Sequence, residues 1–187
     1  VIEQDTPALG AFTHVLGADL RILLQGWHRM FSKRWSRHGL IMAGACAGIG
    51  LATAILIVYT ATGDGYAGFL LASPIAAFAT AALFWWWLLD RPAIHTKTRG
   101  AIAGALAGAV AHYVCWLLLL LGASACHAAL GACTNSLGDG PMGPVDALWA
   151  AALYSLFSLL FFGWLTVPAG ALAGALVAHS RRTVAAQ

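Results

Sequence analysis

The sequence predicts an all-α integral membrane protein, a four-transmembrane-helix bundle preceded by a cytoplasmic amphipathic in-plane helix. Three observations carry that prediction. Of 187 residues, 60% are hydrophobic and 9% charged, with a mean hydropathy of +0.79, which leaves too little polar surface to wrap a soluble domain of this size. Four apolar runs, Gly39–Tyr59, Ala67–Leu89, Ala101–Gly122 and Ala147–Ala178, are each long enough to cross about 30 Å of hydrocarbon. All ten Lys and Arg then fall on one side: Arg21, Arg29, Lys33, Arg34 and Arg37 before the first run, Arg91, Lys97 and Arg99 between the second and third, Arg181 and Arg182 after the fourth.

Basic loops resist translocation, so both termini are expected in the cytoplasm of a bacterial inner (plasma) membrane. Two regions follow. Residues 1–38 form the cytoplasmic leader and interfacial helix, and residues 39–187 the four-helix transmembrane domain with an outward loop at 124–146. A cleavable leader is not expected, because the first long apolar run begins only near residue 39 and is too long for one.

The leader opens with VIEQDTP, where Pro7 suits a helix start. From there Leu9, Phe12, Leu16, Leu20, Leu23, Trp27, Met30 and Trp35 recur at steps of three or four, with Arg21, Gln25, His28 and Arg29 opposite. That is the pattern of an amphipathic helix. Its basic face and two tryptophans suit the anionic headgroup layer. Gly10, Gly17 and Gly26 weaken an isolated helix and suit close packing on a partner protein instead.

The first, third and fourth transmembrane helices carry Gly44/Gly48, Gly104/Gly108 and Gly170/Gly174. Small residues four apart let backbones approach closely in lipid. All three pairs lie at one depth near the cytoplasmic border, so the three helices are expected to meet there. At the same depth the second helix carries Phe84, Trp85, Trp86 and Trp87, which read as an interfacial aromatic belt. Asp90-Arg91-Pro92 ends that helix and Pro74 kinks it.

The outer halves are bulkier, with Trp116 and Leu117–Leu121 on the third helix and Phe157–Trp164 on the fourth. A bundle narrow inside and wider outside is predicted, with large side chains filling that width in preference to a ligand. The fourth run, about 48 Å if straight, exceeds the core thickness, so it must bend. Pro168 is the predicted break.

Chemistry is sparse. Of seven histidines only His112 lies mid-membrane, where an ionisable group is a functional candidate. It is the one candidate cofactor-binding residue, suited to a pigment or a quinone carbonyl. The alternative is a neutral imidazole hydrogen-bonded to Thr80 or Ser158. No second histidine lies at matching depth for a haem. Cys126 and Cys133 in the outward loop suit a disulfide, with Gly131 allowing the turn it requires; free thiols, or a metal site with His127 and Asp139, are the other readings. No C-x-x-C pair is present, which removes thiol oxidation of the kind run by membrane disulfide-forming enzymes. Nor is there a zinc, nucleophile-elbow or phosphate-loop motif. No Asp, Glu, Lys or Arg lies within the membrane, which argues against an ion-coupled pump.

The expected function is therefore a non-catalytic integral subunit or assembly factor of a larger inner-membrane complex, partnered by membrane lipids and other integral subunits and not by nucleic acid. The alternatives are a small transporter or a lipid-, quinone- or pigment-binding protein with an apolar outer cleft, and a redox anchor using His112. No cofactor is required by the sequence.

Overall fold

The computed structural model describes residues 36–61, 66–131 and 140–185. The predicted amphipathic helix lies outside them. Helix α1 spans Arg37–Thr60, α2 Phe69–Trp85, α3 Lys97–Leu130, α4 Pro144–Ser158 and α5 Trp164–Ala185. A π-turn at Trp86–Asp90 extends α2, and another at Leu159–Gly163 joins α4 to α5. Among the described residues there is no strand. Four segments are long and apolar enough to cross a membrane: Arg37–Thr60, Tyr66–Asp90, Lys97–Leu130 and Pro144–Ser180, the last combining α4, its π-turn and most of α5.

The ends of these helices follow from local chemistry. Ser36 caps α1 by accepting from the Gly39 N–H at 3.1 Å, and its hydroxyl donates to Asp90 Oδ2 at 2.7 Å. One side chain thus starts α1 and ties it to the end of α2. Thr96 caps α3 in the same way through the Arg99 N–H. At the far end α3 runs past the expected Gly122 to Leu130, where Gly131 stops it at φ 63°, a left-handed conformation that glycine takes without strain. Cys126 is therefore helical, and Cys133 lies outside the described residues. Pro144 occupies the first turn of α4, where its missing N–H costs nothing.

The tightest seam joins α3 to α5. A Cβ on Gly104 would collide with the Gly170 carbonyl, one on Gly100 with the Gly174 carbonyl, and one on Gly108 would stand 2.9 Å from the Thr166 carbonyl. Each step of four along α3 meets a step of four back along α5, as antiparallel helices in close backbone contact require. Helix α1 closes this end by a different device. Gly44 and Gly48 are exposed and would meet nothing within 4 Å, which corrects the expectation that they join the seam. The inward face of α1 is set by Met42, Cys46 and Gly50, and residues two positions from Cys46 point to the opposite side at about 100° per residue. What reaches the seam from α1 is the fully buried Met42, whose Cε lies 3.0 Å from where a Gly104 Cβ would be. The tight glycines of α1 are Gly39, against Trp85, and Gly50, against the Ser73 carbonyl and Ala77.

Two further expectations change. Trp85 is fully buried and fills the closed end against Gly39 instead of joining an interfacial belt, while Trp87 remains half exposed. The fourth segment deviates at Leu159–Gly163, not at Pro168, which sits inside α5. A proline ring crowds the carbonyl four residues earlier. For Pro168 that is Trp164, so the distortion falls on the N-terminal side, where the π-turn ends.

Candidate functional site

Helix α1 packs on α2 and α5 but touches α4 only marginally, so the segments part beyond the glycine seam. Several of the bulky residues expected to fill this width point away from it: Leu160, Phe161 and Trp164 are 73%, 65% and 72% exposed. What remains is a cleft between α1 and the fourth segment, floored by α2 and α3. Cys46, Ile49, Gly50, Thr53 and Ile57 line one side, Ser158, Phe162, Thr166 and Gly170 the other, with Phe69, Ser73, His112, Cys115 and Trp116 between them.

His112 stands where both halves of the fourth segment can be reached. Its Nδ1 lies 2.6 Å from Ser158 Oγ, on the last residue of α4, and its Nε2 lies 2.9 Å from Thr166 Oγ1, in α5. One imidazole therefore spans the π-turn. The protons can be assigned, because the Thr166 hydroxyl donates to the Phe162 carbonyl at 3.1 Å and must accept from Nε2–H. A neutral His112 then takes the Ser158 O–H at Nδ1. Both ring nitrogens are committed to the protein, which leaves none to ligate a pigment metal. Thr80, the other expected partner, instead donates to the Ala76 carbonyl at 2.8 Å, with the Ala107 carbonyl at 3.3 Å.

The remaining hydroxyls of the cleft are committed in the same way. Ser73 donates to the Gly50 carbonyl at 2.9 Å, bridging α2 to α1, and Thr53 donates to the Ile49 carbonyl. Cys46 and Cys115 are free thiols on the same walls. Trp116, one turn along α3 from His112, is the exception: its Nε1 is buried and has no hydrogen-bond partner. The indole meets Phe69 edge-on at 5.1 Å and Tyr154 in a tilted contact at 4.9 Å. Sequence reasoning missed Trp116 as a donor; its position one turn from His112 is the one signal that could have marked it.

The interior of the cleft amounts to about 50 Å³. A water needs roughly 10 to 15 Å³, so the space holds a few waters or part of a slim chain and does not enclose a tetrapyrrole. Among the described residues no group of three or more His, Cys, Asp or Glu is placed to hold a metal ion. Of the predicted site residues, the structure brings Gly104, Gly108, Gly170 and Gly174 together in the seam and places His112 on the cleft above it. The pairing of Cys126 with Cys133 falls partly outside the described residues. The chain matches no protein-family model, no curated protein and no solved structure.

Proposed function

We propose that the chain is a small integral membrane protein that holds a slender, apolar-tailed molecule between its helices, without catalysing a reaction on it. The observation that carries this reading is the cleft at His112, apolar over most of its wall with a few polar side chains among the lining residues, which is the usual make-up of a small-molecule site. The reading of the chain as an accessory subunit rests on the absence of intramembrane charge and on the close-packing motifs, and four of those glycines, Gly104, Gly108, Gly170 and Gly174, are used within the chain itself. With a bilayer around the four apolar segments, the one-sided basic residues put both termini and residue 97 in the cytoplasm. Lys97→Cys, in a chain whose Cys126 and Cys133 are replaced by Ser, is expected to resist an impermeant maleimide until cells are opened. Labelling in intact cells would invert the topology. The outward loop then suits a Cys126–Cys133 disulfide, read by mass spectrometry before and after reduction; alkylation of both thiols without reduction would refute it.

The ligand reading is tested with a fatty-acyl probe carrying a diazirine on its tail, crosslinked into the full chain in phosphatidylcholine nanodiscs. Adducts are expected on cleft residues of α1 and of residues 158–170, and Ala111→Phe, which fills the cleft, is expected to remove them. Adducts confined to outward-facing residues such as Leu160 and Phe161, unaffected by Ala111→Phe, would overturn it.

A further inference from the structure

We infer that the molecule held in the cleft presents a carbonyl oxygen, which accepts a hydrogen bond from Trp116 Nε1–H. This rests on the ligand-binding reading above and adds the chemistry of the head. Ser158, Thr166, Ser73 and Thr53 each direct their hydroxyl hydrogen to a protein acceptor, and His112 directs Nε2–H to Thr166. None of these is available to a ligand without breaking a bond already formed.

The indole N–H of Trp116 is the strong donor left over, buried and without a hydrogen-bond partner. An orphan buried donor is costly in protein and costlier where no water competes, so native structures rarely keep one without a reason. The other orphan indole, Trp85 Nε1, belongs to the closed end and not to the cleft wall. The two differ in the one respect that matters to a ligand. Phe69, edge-on to the Trp116 ring, is itself a cleft-lining residue at the first position of α2, so both rings belong to the cleft wall, and they must shift enough for an acceptor to reach Nε1.

An acceptor of low polarity on a slim apolar tail describes two sources with one chemistry, the ring carbonyl of an isoprenoid quinone and the carbonyl of an acyl ester. A hydrocarbon or an ether lacks it. Three diazirine-tailed probes separate these cases in the full chain in phosphatidylcholine nanodiscs: an isoprenoid quinone, an acyl ester, and the ether analogue of that ester. A carbonyl probe is expected to label cleft residues about three- to tenfold more than the ether, the worth of one hydrogen bond. Trp116→Phe, which keeps an aromatic ring and deletes the N–H, is expected to bring that probe down to the ether's level.

Whichever carbonyl probe shows the preference identifies the source. Equal labelling by all three probes, unchanged in Trp116→Phe, would overturn the inference and leave the cleft as a tail-binding site. Failure of every probe to label the cleft would overturn both readings. Should Trp116→Phe fail to fold, the ester-to-ether ratio in the unaltered protein decides alone, a ratio near one overturning the inference.

Discussion

The two halves of the bundle on either side of His112 solve the packing problem with opposite residues. Toward the basic borders the helices meet backbone to backbone, with Gly100, Gly104 and Gly108 facing Gly174, Gly170 and Thr166, and with Met42 and Trp85 filling what the glycines leave. Beyond His112 the side chains are large and the helices part. Size alone does not fill space: Leu160, Phe161 and Trp164 turn outward, and a cleft remains where bulk was expected. Small residues on facing positions close a bundle in lipid because dispersion falls steeply with separation. Large residues close it only if they interdigitate.

The largest effect is expected at the seam. Gly104→Leu drives a side chain into the Gly170 backbone, which cannot move aside as a flexible side chain would. Overpacking of this kind costs about 1 to 3 kcal/mol and more where backbone is the obstacle. Thermal unfolding in detergent is expected to show a large drop in midpoint, or loss of the monodisperse protein. Gly48→Leu is the control, since nothing lies within 4 Å of it, and its cost is expected below about 0.5 kcal/mol. Equal losses at both positions would mean that the seam is not where the bundle closes.

This pair also shows how far the sequence could be read. The spacing of small residues placed Gly104, Gly108, Gly170 and Gly174, because a motif of period four identifies a stripe on a helix. It could not say which stripe of α1 faces inward. Gly44/Gly48 and Gly39, Met42, Cys46 and Gly50 are alternative faces in an Ala/Gly-rich helix whose apolar residues cover its whole circumference, so periodicity gives no direction there. The break in the fourth segment was legible from Pro168, but not its displacement to Leu159–Gly163, which depends on the neighbour that receives the strain. His112 was legible as the lone mid-membrane histidine. Its second partner Thr166, 54 residues away, was not, because that contact depends on the π-turn.

An intermediate effect is expected at the boundary between the halves. His112→Leu removes the bonds to Ser158 and Thr166, each worth about 0.5 to 1.5 kcal/mol, so a loss of roughly 1 to 3 kcal/mol is expected in the same unfolding measurement. Ser158→Ala in the His112→Leu background should add little, because the partner is already gone, and the double-mutant cycle reads that coupling directly. Strictly additive losses would show that His112 does not clamp the two sides of the π-turn. The closed and open halves would then have no common boundary at His112.

Apart from the Gly48→Leu control, the smallest stability effect is expected at Trp116, and its size is what makes it informative. In the closed half a buried side chain is held by its neighbours on all sides, so truncation leaves a void. Trp116 differs, because its Nε1–H has no partner and deleting it relieves a desolvation penalty of about 1 to 3 kcal/mol. Trp116→Phe gives up ring area against Phe69 and Tyr154, which works in the opposite direction with a similar size. The two terms nearly cancel, and the unfolding midpoint of the delipidated protein is expected to shift by the equivalent of no more than about 1 kcal/mol. A drop as large as that of Gly104→Leu would mean that the indole N–H is held by the protein after all. The cleft would then have no donor to offer, and its wall would differ from the glycine seam only in the size of its residues.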